Sequence, residues 1–369
     1  MRVLFISMDR KIFDKDSAVA SRMIEYGKLF EQIDVIVFSK KSHKLKVTDL
    51  AFNIRVYPTN SFYKIFYITD AIRMARKLDR PIYVSGDGPE TSLVAYEISK
   101  HFKSKFQLQI HTDIFSKHFI KLSFINKLRS QIVESLLNKA DSIRVVSKRI
   151  KDSILKKDYK LVSKIVILPI FRNKIVSDEN TFSKSYFSPE IFKNFEINFL
   201  AVSRLEREKN ILYLLDIFAE IKKQYPNAGL TILGEGSQKE IIIKKVNKLG
   251  LAHNVNMFWV DTVETYFKHA DIFIQTSEYE GYGLSLFEAA DAGLPIVSTD
   301  VGLIGEILTP DHSVIVISKN KKESVKKILH LLEDSEYRKT LGNHAKQQID
   351  KFKLTKEQYL EKFKDSFYV

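Results

Sequence analysis

The chain has 369 residues and no cysteine. Disulfides, thiolate-bound zinc and thiol nucleophiles are therefore excluded. No run of 18 apolar residues occurs, so no membrane-spanning helix is expected. The opening MRVLFIS has the apolar density of a buried strand and no cleavage-site pattern behind it, so no secretory leader is expected and the cytoplasm is the expected compartment. The sequence lacks GxxxxGK[ST], and neither GEGSQK (234–239) nor GYGLSL (281–286) completes GxGxxG. These gaps argue against a P-loop kinase and a nicotinamide dehydrogenase. HExxH is missing too. Glycine is scarce at first: of 13, only Gly27, Gly86 and Gly88 lie in residues 1–180. Gly281, Gly283, Gly293, Gly302 and Gly305 crowd into 281–305, so the second half is the better candidate for close approach of backbone to a ligand.

Acidic residues are the other shortage of the first half. Residues 1–180 hold 34 Lys and Arg against 19 Asp and Glu; the remainder holds 25 against 26. One half is strongly basic and the other neutral. Either an anionic surface is the partner of the basic half, or its lysines form a solvated face.

Short β-rich runs alternate with helical patterns along the whole chain. Strands are predicted at 3–7, 33–39, 52–57, 82–86, 106–112, 142–147 and 164–169, then at 197–203, 229–234, 255–260, 271–277, 295–300 and 313–317. The runs are continuous in Val, Ile, Leu and Phe rather than alternating, which favours parallel sheets covered on both faces. The expected class is α/β, with two doubly wound Rossmann-like domains of parallel sheet facing a central cleft. A polar break at 173–196 divides them into residues 1–175 and 195–349. A charged helical pattern near 350–369, bearing Phe352, Tyr359, Phe363 and Phe367, is expected to pack back on the first domain.

The segment EGYGLSLFE (280–288) sets two carboxylates around a glycine turn that opens a helix. The helix is expected to end near Ala292, with Gly293 as stop signal and Pro295 beyond. Such a turn presents backbone N–H groups and the positive end of a helix dipole, which suits a phosphate. Upstream, SRLEREKN (203–210) places Arg204 and Lys209 in a strand-to-helix loop, the ligand-facing edge of an α/β sheet. Two cations there suit a diphosphate, though in isolation ordinary surface charge, with Glu206 and Glu208 as neighbours, is the preferred reading. In GEGSQKE, Ser237 and Glu240 read as a capping box for the next helix, compatible with a phosphate or sugar contact from Gly234 and Gly236. Asp14-Lys15-Asp16 reads as a solvated turn rather than a metal site.

In this order and spacing, SRLEREKN, GEGS and EGYGLSLFEAADAGLPIVSTDVG resemble the retaining glycosyltransferases of family 4, which have the GT-B fold. IHTDIF (110–115), ADSIRVVSKRIKD (140–152) and ADIFIQTSEYEGYG (270–283) extend the resemblance. It implies transfer of a sugar from a UDP- or GDP-type donor to a hydroxyl of a glycan or lipid-linked acceptor, with retained configuration. It further implies Arg204 and Lys209 on the diphosphate, backbone N–H groups of Gly281, Tyr282, Gly283 and Leu284 beside them, and Glu288 on the ribose. Glu280 would meet the donor sugar, and His111 the sugar and acceptor. Developing negative charge on the leaving diphosphate is what such donors stabilise. No metal and no other cofactor is expected.

The sequence departs from that pattern in places. A glycine pair after the first strand is missing; SMDRKIFDKDSAVAS stands there, so Asp16 or Ser17, with Asp113 near His111, become acceptor-side candidates. Trp259 stands where relatives often have glycine, LPIFRNK (168–174) replaces their proline-asparagine stretch, and Gly305 replaces a proline before Glu306. In FSKHFIKLSFINKLRSQIVESLLNK (115–139), Lys117, Lys121, Lys127 and Arg129 interleave with Phe115, Phe119 and Phe124, which suits the peripheral interface of an anionic membrane. A rival expectation is a basic nucleic-acid-binding or DNA-modifying protein of the same fold. Intact Glu280, Arg204 and Lys209 weigh against it.

Overall fold

The computed structural model describes residues 1–171, 190–260 and 262–368. The predicted break at 173–196 and the end of LPIFRNK fall largely outside them. The chain divides into two compact units, Met1–Arg172 with Leu354–Val369, and Asn173–Lys353.

The first unit is built on β1 (Arg2–Ser7), β2 (Gln32–Val37), β3 (Thr48–Ala51), β4 (Ile54–Pro58), β5 (Tyr83–Gly86), β6 (Lys105–Ile110), β7 (Ser142–Val145) and β8 (Ile165–Ile167). They lie in the order β3-β4-β2-β1-β5-β6-β7-β8. Seven run parallel, as the apolar runs predict. The eighth, β3, is antiparallel to β4 and corrects the expectation of a purely parallel sheet. Its sequence, TDLA, is short and half polar, which suits an exposed sheet edge and leaves no apolar run to read.

The second unit comprises β9 (Ile197–Val202), β10 (Ala228–Leu233), β11 (Val255–Phe258), β12 (Ile272–Gln275), β13 (Ile296–Thr299) and β14 (Ile315–Ile317). All pairings are parallel, in the order β11-β10-β9-β12-β13-β14. The fold is GT-B in its two α/β units.

One local device recurs. Asp141, just before β7, accepts from Phe106 N at 2.8 Å, and its own N–H donates to Phe106 O. Asp271, just before β12, does the same with Asn198. Each Ala-Asp pair thus extends a parallel ladder by one residue, fixing where the strand begins.

The helix Lys356–Asp365 packs into the core of the first unit. Phe363 stacks on Tyr26 with ring centroids 3.9 Å apart, and Phe367 meets Phe5, Phe30 and Tyr83. Phe352 lies before this helix and is exposed rather than packed with the other three.

Candidate functional site

In an open parallel sheet, ligands bind beyond the carboxyl ends of the strands, where the winding direction reverses. In the second unit that reversal lies between β9 and β12. The loop after β9 carries Arg204 and Lys209; the loop after β12 carries Thr276, Ser277 and Glu280. Thr276 Oγ1 donates to the carbonyl oxygens of Lys209 and Asn210, at 3.2 and 3.0 Å. Glu278 N donates to Glu208 O at 2.7 Å. Lys209 Nζ then meets Glu280 Oε1 at 2.6 Å, and Ser277 Oγ donates to the same oxygen at 2.8 Å. The two charged side chains are only 11% and 13% exposed. So buried a pair is held by hydrogen bonding as well as charge.

The structure therefore brings Lys209 and Glu280 together. Arg204, on the same loop, is not part of that buried pair: its side chain is 72% exposed and its Nη2 meets Glu208 at 3.0 Å. The glycine turn follows Glu280 directly. Gly283, at φ 88°, is the N-cap of the helix Leu284–Asp291, with Glu288 in its second turn. The helix stops where predicted, with Ala292 as C-cap and Gly293 at φ 77°. Tyr282, in the turn itself, is buried with its ring 6.2 Å from Phe287, and burial pushes its phenol pKa up. Burial, followed by the Glu208 charge, pushes Tyr279 up to about 12, so it stays a neutral hydroxyl.

The glycines of GEGS have a structural task. A Cβ on Gly234 or Gly236 would collide with the backbone of Ser203 or Leu205. Leu205 N donates to Glu235 O, and Gln238 N to Leu205 O, both at 2.8 Å. The capping box is corrected. The helix is Lys239–Lys248 with Gln238 as N-cap and no side-chain cap. Ser237 instead binds Glu206, with Oγ donating at 2.6 Å and N at 3.0 Å. These bonds hold the Glu206 carboxyl below its usual range. SRLEREKN and GEGS are thereby stitched into one platform.

In the first unit, His111 follows β6. Its Nε2 lies 3.3 Å from Gln109 Oε1. That oxygen also accepts from Arg144 Nη1 at 2.9 Å. Arginine only donates, so it fixes which end of the Gln109 amide faces it; Nε2 of His111 must then be the protonated nitrogen, leaving Nδ1 as an acceptor. Desolvation first, then the charges of Arg144 and Arg22, push His111 down to about 3. It is a neutral hydrogen-bonding group.

The other acceptor-side candidates have local duties. Ser17 caps the helix Ala18–Gly27, accepting from Ala20 N at 3.1 Å and donating to Lys11 O and Asp14 O. Asp16 N donates to Asp14 Oδ1 in an exposed turn. Asp113 is buried against Ser153 and Arg149 on the helix Lys148–Leu155, and burial raises its pKa. It braces the loop after β6 rather than facing outward. Of the basic set, Lys117, Lys121 and Lys127 are exposed, whereas Arg129 Nε binds Glu90 at 2.7 Å. Phe119 is buried; Phe124 is 79% exposed.

Asp87 was missed by the sequence reading. It follows β5 at the reversal point between β1 and β5, where it accepts from Ser7 Oγ at 2.9 Å and Thr91 Oγ1 at 3.2 Å. Burial raises its pKa. The signal was present: two of the three glycines in the basic half, Gly86 and Gly88, flank it.

Residues 184–348 match the family model described as glycosyl transferases group 1. An alpha-monoglucosyldiacylglycerol synthase of Acholeplasma laidlawii is 26% identical over 227 residues, 59% of this chain and 56% of that protein. The poly(glycerol-phosphate) alpha-glucosyltransferase of Bacillus subtilis is 28% identical over 163 residues, 43% of this chain and 24% of that protein. The matches thus span about half or less of these curated relatives. Among solved structures, a sucrose-phosphate synthase from Thermosynechococcus elongatus superposes with TM-score 0.78 at 15% identity, covering 100% of this chain and 98% of that one. Anabaena HepE in complex with UDP and glucose gives 0.71 at 16% identity, covering 95% of each chain. Residues 184–348 are thus similar to the glycosyl transferases group 1 family, and the solved structures share the GT-B fold.

Proposed function

We propose that the protein is a retaining glycosyltransferase. It moves a sugar from a nucleoside-diphosphate donor, UDP-linked in the first instance, to a hydroxyl of a glycan or lipid-linked acceptor. The observation that carries this reading is the buried Lys209–Glu280 pair at the reversal point of the second sheet, directly before a glycine turn and a helix N-terminus. HepE, a protein of the same fold, binds UDP and glucose, and the match to a lipid glucosylating synthase supports the acceptor class.

In this reading the diphosphate lies on the N–H groups of Gly281–Leu284. Lys209 keeps one N–H on Glu280 and turns the others to the phosphates. Arg204, on its exposed loop, adds a second cation. Glu280 Oε1 is taken by Lys209 and Ser277, so Oε2 meets the donor sugar's hydroxyls. Glu288 holds the ribose. On the first unit, His111 Nδ1 is the acceptor offered to a hydroxyl of the bound acceptor molecule. The anomeric carbon–phosphate oxygen bond breaks as the acceptor oxygen bonds to the same face, and the acceptor's proton passes to the departing phosphate oxygen. Preorganised donors aimed at that oxygen supply the rate enhancement. Glu280 and Glu288 are not an acid–nucleophile pair of the hydrolase kind.

The acceptor side is assigned to the basic unit, with peripheral attachment to an anionic membrane. Phe124, Ile125 and Leu128 are 79%, 59% and 48% exposed beside Lys121 and Lys127. Among the described residues no helix is long and apolar enough to cross a membrane.

The test is a panel of UDP-, GDP-, ADP- and CMP-sugars read by thermal shift and nucleotide release. Lys209→Ala is expected to lower kcat by roughly 100-fold while changing donor affinity less. Glu288→Ala is expected to weaken nucleotide binding by roughly 10-fold. Turnover is expected to persist in excess EDTA, and NMR of the product should give the donor's anomeric configuration. No stabilisation by any nucleotide sugar, or wild-type turnover in both variants, would remove the assignment.

A further inference from the structure

The first unit has an exposed apolar cluster outside the helix singled out from the sequence. Phe62, Tyr63, Ile65 and Phe66, in the loop after β4, are 71%, 69%, 79% and 46% exposed. Lys64 interrupts them. The loop after β2 lies alongside: Lys41 N donates to Ser61 O at 2.9 Å, Ser61 N to Ser39 O at 2.8 Å, and Asn60 Nδ2 to Leu45 O at 2.8 Å. Lys41 Nζ sits 4.5 Å over the Phe62 ring. These bonds make one surface of the two loops.

Its charge is one-sided. Lys40, Lys41, Lys44, Lys46 and Lys64 stand on it, and none is paired with a carboxylate among the described residues. The acid closest in sequence, Asp49, is engaged by Arg55 at 3.2 Å. Water is a poor solvent for four adjacent large apolar side chains, and the surrounding lysines repel one another. A partner that is apolar inside and anionic outside relieves both.

We propose that loops 40–46 and 61–66 form a docking surface for an anionic lipid bilayer. Phe62, Tyr63, Ile65 and Phe66 enter the headgroup–acyl boundary, and the five lysines reach the lipid phosphates. Lipid fits better than nucleic acid because Ile65, the most exposed of the four, has no π-face on which a base could stack. The position has a consequence for the proposed reaction. β2 and β4 run parallel to β6, so both loops leave the sheet edge that carries His111. Docking there would deliver a lipid-linked hydroxyl to that edge. Only this last step rests on the transferase reading.

The experiment is sedimentation of the full chain with phosphatidylglycerol–phosphatidylcholine vesicles, and with phosphatidylcholine alone, without any donor. Binding is expected only to the anionic vesicles, weakening as salt rises. Lysine–surface attraction corresponds to roughly five-fold in affinity per residue, so Lys41→Glu, Lys44→Glu and Lys64→Glu together should weaken binding by at least about 100-fold. Phe62→Ser with Ile65→Ser should weaken it at constant charge. Ile65→Trp in a Trp259→Phe background should shift its emission to the blue on vesicles and be quenched by brominated acyl chains. Unchanged binding in both multiple variants, or a water-exposed Ile65→Trp probe on bound vesicles, would overturn the proposal. So would an oligonucleotide that binds tighter than vesicles at equal salt and loses affinity in the same variants. Failure of sugar transfer with vesicle binding intact would refute the enzyme reading alone.

Discussion

Arg144 is a buried cation with no carboxylate partner among the described residues. It is held by neutral oxygens: Gln109 Oε1, the carbonyls of Leu168 and Pro169, and Tyr359 Oη. It orients Gln109, and through it selects the His111 tautomer. Among the described residues, the charged groups that act on His111 are Arg144 on β7 and Arg22 on the helix Ala18–Gly27. The sign of the resulting pH effect is definite. Folding lowers the His111 pKa from 6.5 to about 3. Below pH 6.5 the unfolded chain takes up a proton that the folded chain refuses, so this residue's contribution to stability falls progressively toward pH 3. His111→Gln is expected to remove that part of the acid sensitivity. Its melting temperature should decline less steeply than wild type between about pH 6.5 and 4.5; parallel declines would contradict the assignment. IHTDIF draws attention to His111 in the sequence. Arg144 and Gln109 were not legible there, because SIRV and FQLQI read simply as strands. A charged residue inside an apolar strand was the available signal, but its partner lies 35 positions away.

Turns and caps set where the site elements begin. Gly302, at φ 57°, lies under the Tyr282–Gly283 turn, and a Cβ there would run into the Tyr282 carbonyl oxygen. Gly302→Ala should therefore cost roughly 1–3 kcal/mol of stability through strain and displacement. It should also weaken nucleotide binding, because the displaced segment carries the N–H groups of the helix start. Thermal melts and nucleotide titration check both; a stable variant with wild-type affinity would detach Gly302 from the site. At this scale the sequence reading succeeded where a run of Val, Ile, Leu and Phe is buried on both faces, as in β9 and β12. It also found the stop at Gly293, where a glycine marks positive φ. It failed where the outcome depends on a distant partner. Ser237 and Glu240 have the spacing of a capping box, yet Glu206, 31 positions upstream, captures the serine. Likewise nothing local in SRLEREKN tells that Lys209 will be held by Glu280, 71 positions on.

The whole chain is discontinuous in its folding units. The tail 354–369 completes the first unit, although the second separates them in sequence. Phe363 and Phe367 are fully buried against Tyr26, Phe30 and Tyr83. Tyr359 accepts from Arg144 at 2.9 Å, and Gln107 Nε2 donates to Ser366 O at 2.9 Å. Each buried large aromatic lost from a core costs about 3–5 kcal/mol, so the first unit should not survive loss of the tail. The second unit has its own core between β9, β10 and their helices, and none of it comes from the tail. Trp259 is the single tryptophan and directly follows β11 of the second unit. It reports that unit alone, whereas far-ultraviolet circular dichroism reports both. A protein ended at Lys353 is therefore expected to lose much of its dichroism at 25 °C while the thermal transition seen by Trp259 emission stays near that of the full chain. The aromatic tail would have no such role if both signals kept their midpoints. It would serve the second unit as well if both fell together.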